Sequence, residues 1–161
     1  MDKTEAQKRK PTRLKCYDYS TAGVYFVTVC VKDRKALLCE IVGEGLCTLP
    51  KTQLTDVGIK VKKAIEFINM NYYAVSVDHY VIMPNHIHLL VRYEESVGGH
   101  GDPPLQDVIA RFKSFTTHQH GETLWQRSFN DHIIRNEKDY IEHLNYIENN
   151  PAKWEEDELY I

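Results

Sequence analysis

The chain has 161 residues and a mass of 18.8 kDa, with 42% apolar and 27% charged residues. That composition excludes a disordered or fibrous protein, and no run nears the ~20 apolar residues of a membrane helix. The net charge of −3 speaks against a general polyanion binder, but the charge is placed in blocks.

Residues 1–15 hold six bases (Lys3, Lys8, Arg9, Lys10, Arg13 and Lys15) against two acids. Residues 155–161 hold four acids and no base. A basic arm and an acidic tail therefore cancel in the sum. Either can be a solvated terminus; the arm can also lie along phosphates. A site specific for one nucleic-acid structure needs local bases and not a positive total. The first residues have no apolar core, so no secretory signal is expected, and the chain is expected to be cytoplasmic. Its four cysteines lack C-x-x-C spacing and are expected to stay reduced. One domain over 1–161 is expected, without repeat or linker.

Val24–Val31 is dense in β-branched and aromatic residues and predicts a strand buried on both faces. A polar turn follows at Lys32–Lys35, and residues 36–51, broken by Gly43, Gly45 and Pro50, give no regular pattern. From Thr52 apolar residues recur at three and four, predicting a helix to about Asn69–Asn71. Ala74–Met83 and His86–Tyr93 predict two strands joined at Pro84-Asn85, paired antiparallel. A Gly/Pro-rich loop precedes a helix over Leu105–Gln119. Leu124–Phe129 and His132–Arg135 predict short extended pieces. Asn136 can cap a helix over Glu137–Asn150, which Pro151 stops. The order β-α-β-β-α-β-α predicts an α+β, ferredoxin-like antiparallel sheet with helices on one face. Something else must cover the other face.

Three features carry chemistry. His86 and His88, two apart on a strand, share one face with backbones roughly 6.5–7 Å apart. Two imidazoles so placed can converge on one divalent ion, or stand exposed or locally bonded. At about 100° per residue, Tyr146 and Asn150 share a helix edge, with His143 beside them. A tyrosine hydroxyl there can attack phosphorus and the amide can supply a third ligand. A tyrosine at the edge of an amphipathic helix and an asparagine ending it fit equally. Arg111, Lys113, Arg127 and Arg135 are candidates for phosphates; Phe115, Trp125 and Phe129 are candidates for base stacking. Each of these also fits a solvated base or a core ring.

The segment from Tyr80 to Val91 (YVIMPNHIHLLV) resembles the histidine–hydrophobic–histidine (HUH) segment of the single-tyrosine transposases. The chain most resembles their REP-associated branch (RAYT), relatives of the insertion-sequence-200 transposases. Matching segments are Tyr17-Asp18-Tyr19, Tyr25-Phe26-Val27-Thr28, Phe112-Lys113-Ser114, Trp125-Gln126-Arg127, His132-Ile133-Ile134-Arg135-Asn136-Glu137 and Tyr146-Ile147-Glu148-Asn149-Asn150-Pro151. They run in order over roughly residues 13–154.

The resemblance implies a ferredoxin-like single-stranded DNA nickase and strand transferase acting through a 5′-phosphotyrosine. It implies Tyr146 as nucleophile, and His86, His88 and Asn150 as ligands of Mg²⁺ or Mn²⁺. Many insertion-sequence relatives carry Gln at the position of Asn150; either amide offers one carbonyl oxygen. It implies single-stranded or hairpin DNA as partner, no membrane, and a monomer or a homodimer. Arg13 and Lys15 in the arm, with Arg111, Lys113, Arg127 and Arg135, are the DNA-binding candidates. No general base stands out, His143 being a bare guess. The alternative of the same fold is a domesticated, catalytically silent hairpin-binding protein. A histidine-triad hydrolase would need His at position 90, which is Leu.

Overall fold

A computed structural model describes residues 17–43, 50–95 and 101–161. The basic arm, with Arg13 and Lys15, lies outside the described residues.

Four strands form the main sheet: β1 (Gly23–Cys30), β4 (Val75–Ile82), β5 (His86–Tyr93) and β6 (Asn130–Ile134). Their order is β4-β5-β1-β6, with every neighbouring pair antiparallel. Helices α1 (Asp56–Asn71) and α2 (Leu105–His120) connect them in the expected ferredoxin-like order. Both pack on one face, which is apolar throughout. Tyr25, Val27 and Val29 of β1 and Ile87, Leu89 and Val91 of β5 meet Val61, Ile65, Leu105 and Ile109 there.

Alternation sends the residues between them to the other face. There Val24, Val81 and Leu90 pack under Ile147, Leu144 and Tyr140 of α3 (Glu137–Asn149). The C-terminal helix is therefore the cover that the second face required. Ile141 of α3 is 46% exposed, while Tyr140 packs toward the sheet. Asn136 caps α3 by accepting from the Asp139 N–H at 2.9 Å.

The structure departs from the expected elements in residues 36–54. A small hairpin, β2 (Cys39–Val42) with β3 (Lys51–Leu54), occupies that stretch as a separate two-stranded sheet. Leu54 fits helical spacing yet ends β3, and Thr55 caps α1, accepting from the Gly58 N–H. Gly58 lets α1 approach the segment leading into β2: a Cβ there would collide with the Leu38 carbonyl oxygen. Leu124–Phe129 makes one bridge, Val31 with Trp125, and no strand. After Pro151 a short 3₁₀ turn (Pro151–Glu156) folds the last residues back against the hairpin and α3. Cys30 and Cys39 are free thiols, and no described helix is long and apolar enough to cross a membrane.

Candidate active site

Two strand positions and one helix edge build the site. β1 pairs with β5 so that Thr28 faces His88 and Cys30 faces His86. Both imidazoles project to the α3 face, buried at 0% and 3% exposure, with ring centroids 4.6 Å apart. Tyr146 stands across from them, its ring 5.2 Å from His88 and 6.0 Å from Phe26. Asn150, one turn on, is buried.

Each imidazole is oriented by a partner on Nδ1. Asn85 donates its Nδ2 to the Leu159 carbonyl at 2.8 Å, which leaves its Oδ1 to accept from His86 Nδ1–H at 2.8 Å. His88 Nδ1 lies 2.8 Å from the Thr28 hydroxyl, which can accept likewise. In this tautomer both Nε2 atoms keep bare lone pairs. Among the described residues neither Nε2 has a hydrogen-bond partner, nor does Asn150 Oδ1, though all three are buried. Buried polar atoms left unpaired are costly, and three gathered in one site call for a ligand.

A divalent ion fits these donors: two neutral imidazoles and a carbonyl oxygen, with the opposite ring nitrogens already held. Burial pushes the His86 pKa down to about 4, Asp157 partly opposing and Arg34 adding to it. Burial first, then the neighbouring His86 and His143, pushes His88 well below its usual value. Both rings are thus neutral at pH 7, the form that binds a metal.

Asp157 is the residue that sequence reasoning missed. In the sequence it is one acid of an acidic tail, yet its Oδ2 accepts from the Tyr146 hydroxyl at 3.2 Å and from Asn150 Nδ2 at 3.1 Å. Its carboxylate also lies within 4.8 Å of the ligand nitrogens of His86 and His88. Asn150 Nδ2 is occupied by Asp157, and that is what turns Oδ1 toward no protein partner. Tyr146 is 45% exposed at the mouth of a cleft of about 400 Å³ that Phe26, Thr28, His88, His143 and Asp157 also line. Burial of its inner part and then the Asp157 charge raise the phenol's pKa.

The remaining candidates scatter. Arg111 lies on α2, beside a separate cavity between α1 and α2, across the sheet from Tyr146. Lys113 donates to the carbonyls of Gln126 and Arg127 at 2.6 and 2.9 Å, pinning the loop before β6. Arg127 and Arg135 are exposed. Trp125 and Phe129 are core residues at 3% and 6% exposure, so neither presents a ring to a base. Trp125 instead donates its indole N–H to Thr116 at 2.7 Å. Phe115 is exposed but stacks on Phe67, far from the cleft, on the α1/α2 side.

No family model matches the chain. An uncharacterised protein of Haemophilus influenzae is 36% identical over 174 residues, covering 95% of this chain and 93% of that one. The REP-associated tyrosine transposase of Escherichia coli is 30% identical over 136 residues, covering 84% and 70%. A solved structure, described as the REP-associated tyrosine transposase bound to a REP hairpin, matches with a TM-score of 0.65 at 26% identity. It spans 88% of this chain and 73% of that one. With the fold, the paired histidines and the tyrosine helix in place beside these likenesses, the chain belongs to the family of REP-associated tyrosine transposases.

Proposed function

We propose that this protein cuts and rejoins single-stranded DNA beside hairpins, with Tyr146 as the nucleophile and a Mg²⁺ or Mn²⁺ ion held by His86, His88 and Asn150. The observation that carries this reading is the set of three buried, unpartnered lone pairs, on His86 Nε2, His88 Nε2 and Asn150 Oδ1, in the site that holds Tyr146. A relative whose structure contains a REP hairpin supports the choice of DNA.

The Tyr146 oxygen attacks a phosphodiester phosphorus; the P–O3′ bond breaks and a 3′-hydroxyl leaves. A 5′-phosphotyrosine remains. One ester replaces another, so the bond energy is kept and a second 3′-hydroxyl can reverse the step. When bound, the ion would polarise the phosphoryl oxygens and offset their growing charge. Thr28 and Asn85 hold the imidazoles in the ligating tautomer. Asp157, which reaches the hydroxyl and the amide together, keeps Tyr146 and Asn150 in fixed relation. Arg127 and Arg135, exposed ahead of and behind β6, are the described bases we assign to phosphates; the sequence adds Arg13 and Lys15 of the arm as further candidates.

A labelled single-stranded DNA pool with Mn²⁺ tests the proposal. The expected product is a covalent protein–DNA adduct, lost in Tyr146→Phe and with chelator. An adduct that survives Tyr146→Phe moves the nucleophile elsewhere. Cleaved DNA without an adduct points to a hydrolase. Hairpin binding without cleavage would make the protein the silent, domesticated form.

A further inference from the structure

The proposed attack leaves a proton to be removed from the Tyr146 hydroxyl, a phenol that is protonated at neutral pH when unperturbed. His143 stands one helical turn before it. Its Nδ1 lies 2.8 Å from the Asp139 carbonyl oxygen and 3.1 Å from Asp139 Oδ1. Both atoms are acceptors, so Nδ1 carries the hydrogen, and in the neutral ring the lone pair is on Nε2. Asp139 lies one turn toward the helix N-terminus. These partners take Nδ1 and leave Nε2 for another, and His143 and Tyr146 line the same cleft.

The ring is clamped. Phe26 packs on it with centroids 4.6 Å apart, and His132 of β6 stacks on it at 4.7 Å and 16°. Asp139 is fixed in turn. It accepts from the Arg135 N–H at 3.0 Å and from His132 Nε2 at 3.0 and 3.1 Å. These bonds, the Arg135 N–H first, hold its carboxyl below the usual carboxylate range. A histidine with no task on a helix surface has no need of two ring partners and a locked carboxylate. His132, Asp139 and His143 could together offer metal ligands. Here the Nδ1 hydrogen of His143 and the bonds already on Asp139 use up those atoms, which favours an Asp–His pair.

We propose that His143 is the proton acceptor for Tyr146 and that Asp139 is its positioning residue. This rests on the phosphotyrosine chemistry proposed above. In cleavage the Tyr146 O–P bond forms, the P–O3′ bond breaks, and the phenolic proton moves to His143 Nε2. Water relays a proton from the imidazolium to the departing 3′-oxygen, so no net proton is consumed. In rejoining, a 3′-hydroxyl attacks, the Tyr146 O–P bond breaks, and His143 returns a proton to the phenolate. The other titratable groups around this ring are Glu142 of α3, His88 of β5, His132 of β6, and Asp157 and Glu158 beyond α3. Asp157, 3.2 Å from the hydroxyl, is the competing acceptor.

The test is the single-turnover rate of adduct formation by the full chain, using an oligonucleotide drawn from the cleaved pool and Mn²⁺. His143→Ala should slow it about 10²-fold, the size of a general-base contribution, with hairpin and Mn²⁺ affinities within about twofold of wild type. Added imidazole should restore part of that rate in His143→Ala and none in Tyr146→Phe. Asp139→Asn should slow it less, about 10-fold. Ring ¹⁵N spectra of the DNA-free protein should show the Nδ1–H tautomer at His143. A wild-type rate in His143→Ala would overturn the inference, as would an Nε2–H tautomer. So would a loss of rate that imidazole cannot rescue, or one seen in Asp157→Asn and absent from His143→Ala. A wild-type protein that forms no adduct removes the phosphotyrosine chemistry itself, a result distinct from all of these.

Discussion

The two faces of the four-stranded sheet are made by the same strands, and alternate residues divide them. Under α1 and α2 every inward position of β1 and β5 is apolar, from Tyr25 to Val29 and from Ile87 to Tyr93. Under α3 the intervening positions carry Phe26, Thr28, His86 and His88, and the buried imidazoles keep unpaired nitrogens. One face lowers the free energy of folding by burying carbon. The other gives up part of that gain to keep polar atoms dry and available. Substitutions on the two faces should therefore have opposite signatures, and that is where the comparison can be broken.

The largest expected effect is His88→Leu. Adduct formation should fall below detection. The metal-free protein should be as stable as wild type or more so, because an orphaned buried nitrogen is replaced by carbon and the half-buried Thr28 hydroxyl can turn to water. Melting with chelator present checks it. A clear loss of stability would mean that His88 serves the fold, and the contrast between faces would fail.

Leu89→Ala, one residue along and fully buried on the other face, should do the reverse. It should cost about 2–5 kcal/mol and lower Tm by roughly 5–15 °C. Cleavage per folded molecule at a permissive temperature should stay near wild type. A selective loss of cleavage would show that the faces are coupled through β5.

Acid should act on the α3 face. The unfolded chain protonates His86 near its ordinary value of 6.5, whereas the folded chain does so only at about 4. Between those pH values the unfolded state binds more protons, so stability is full above about 6.5 and falls as pH drops toward 4. The loss from His86 alone is about 3 kcal/mol, because each tenfold difference in proton affinity between the two states is worth on the order of 1.4 kcal/mol. Chelated protein unfolded in urea across pH 4–7 measures it. His88→Leu should flatten the slope in part, since that ring is also held neutral by burial. An unchanged slope in the variant would take His88 out of the acid response.

How much of this was legible follows from where the information sits. Strands and helices with long periodic patterns were readable, and so was the sharing of a face by His86 and His88, because both are local. The β2/β3 hairpin was not. Its strands have four residues each, and Leu54 happens to fall at helical spacing from Val57. Trp125 and Phe129 were open to stacking or burial on chemistry alone, and only tertiary packing decides for burial. Asp157 was hidden most deeply. Its approach to Tyr146 and Asn150 depends on Pro151 ending α3 and a 3₁₀ turn bringing the chain back, which no spacing rule encodes. An acid among acids resembled a solvated tail. The one available signal was the proline placed directly after Asn150, which requires the chain to leave the helix axis there.

The smallest predicted effects compare the two helix caps, one from each side of the sheet. Thr55 caps α1 and also donates to the carbonyls of Leu37 and Leu38 at 2.6 and 3.0 Å, tying that helix to the segment leading into β2. Asn136 caps α3 through the N–H of Asp139, the same residue whose carboxylate holds His143 and His132. Either change to Ala should cost about 1 kcal/mol, within the usual range for a lost cap. The consequences should then diverge. Thr55→Ala lowers Tm by a few degrees and leaves single-turnover cleavage intact, because α1 touches nothing in the cleft. Asn136→Ala loosens the first turn of α3, so it should also slow adduct formation severalfold, less than Asp139→Asn does, by weakening the anchor of the ring beside Tyr146. Equal cleavage rates in the two variants would mean that the start of α3 is as remote from the chemistry as α1 is, and the site would then reach only from His143 onward.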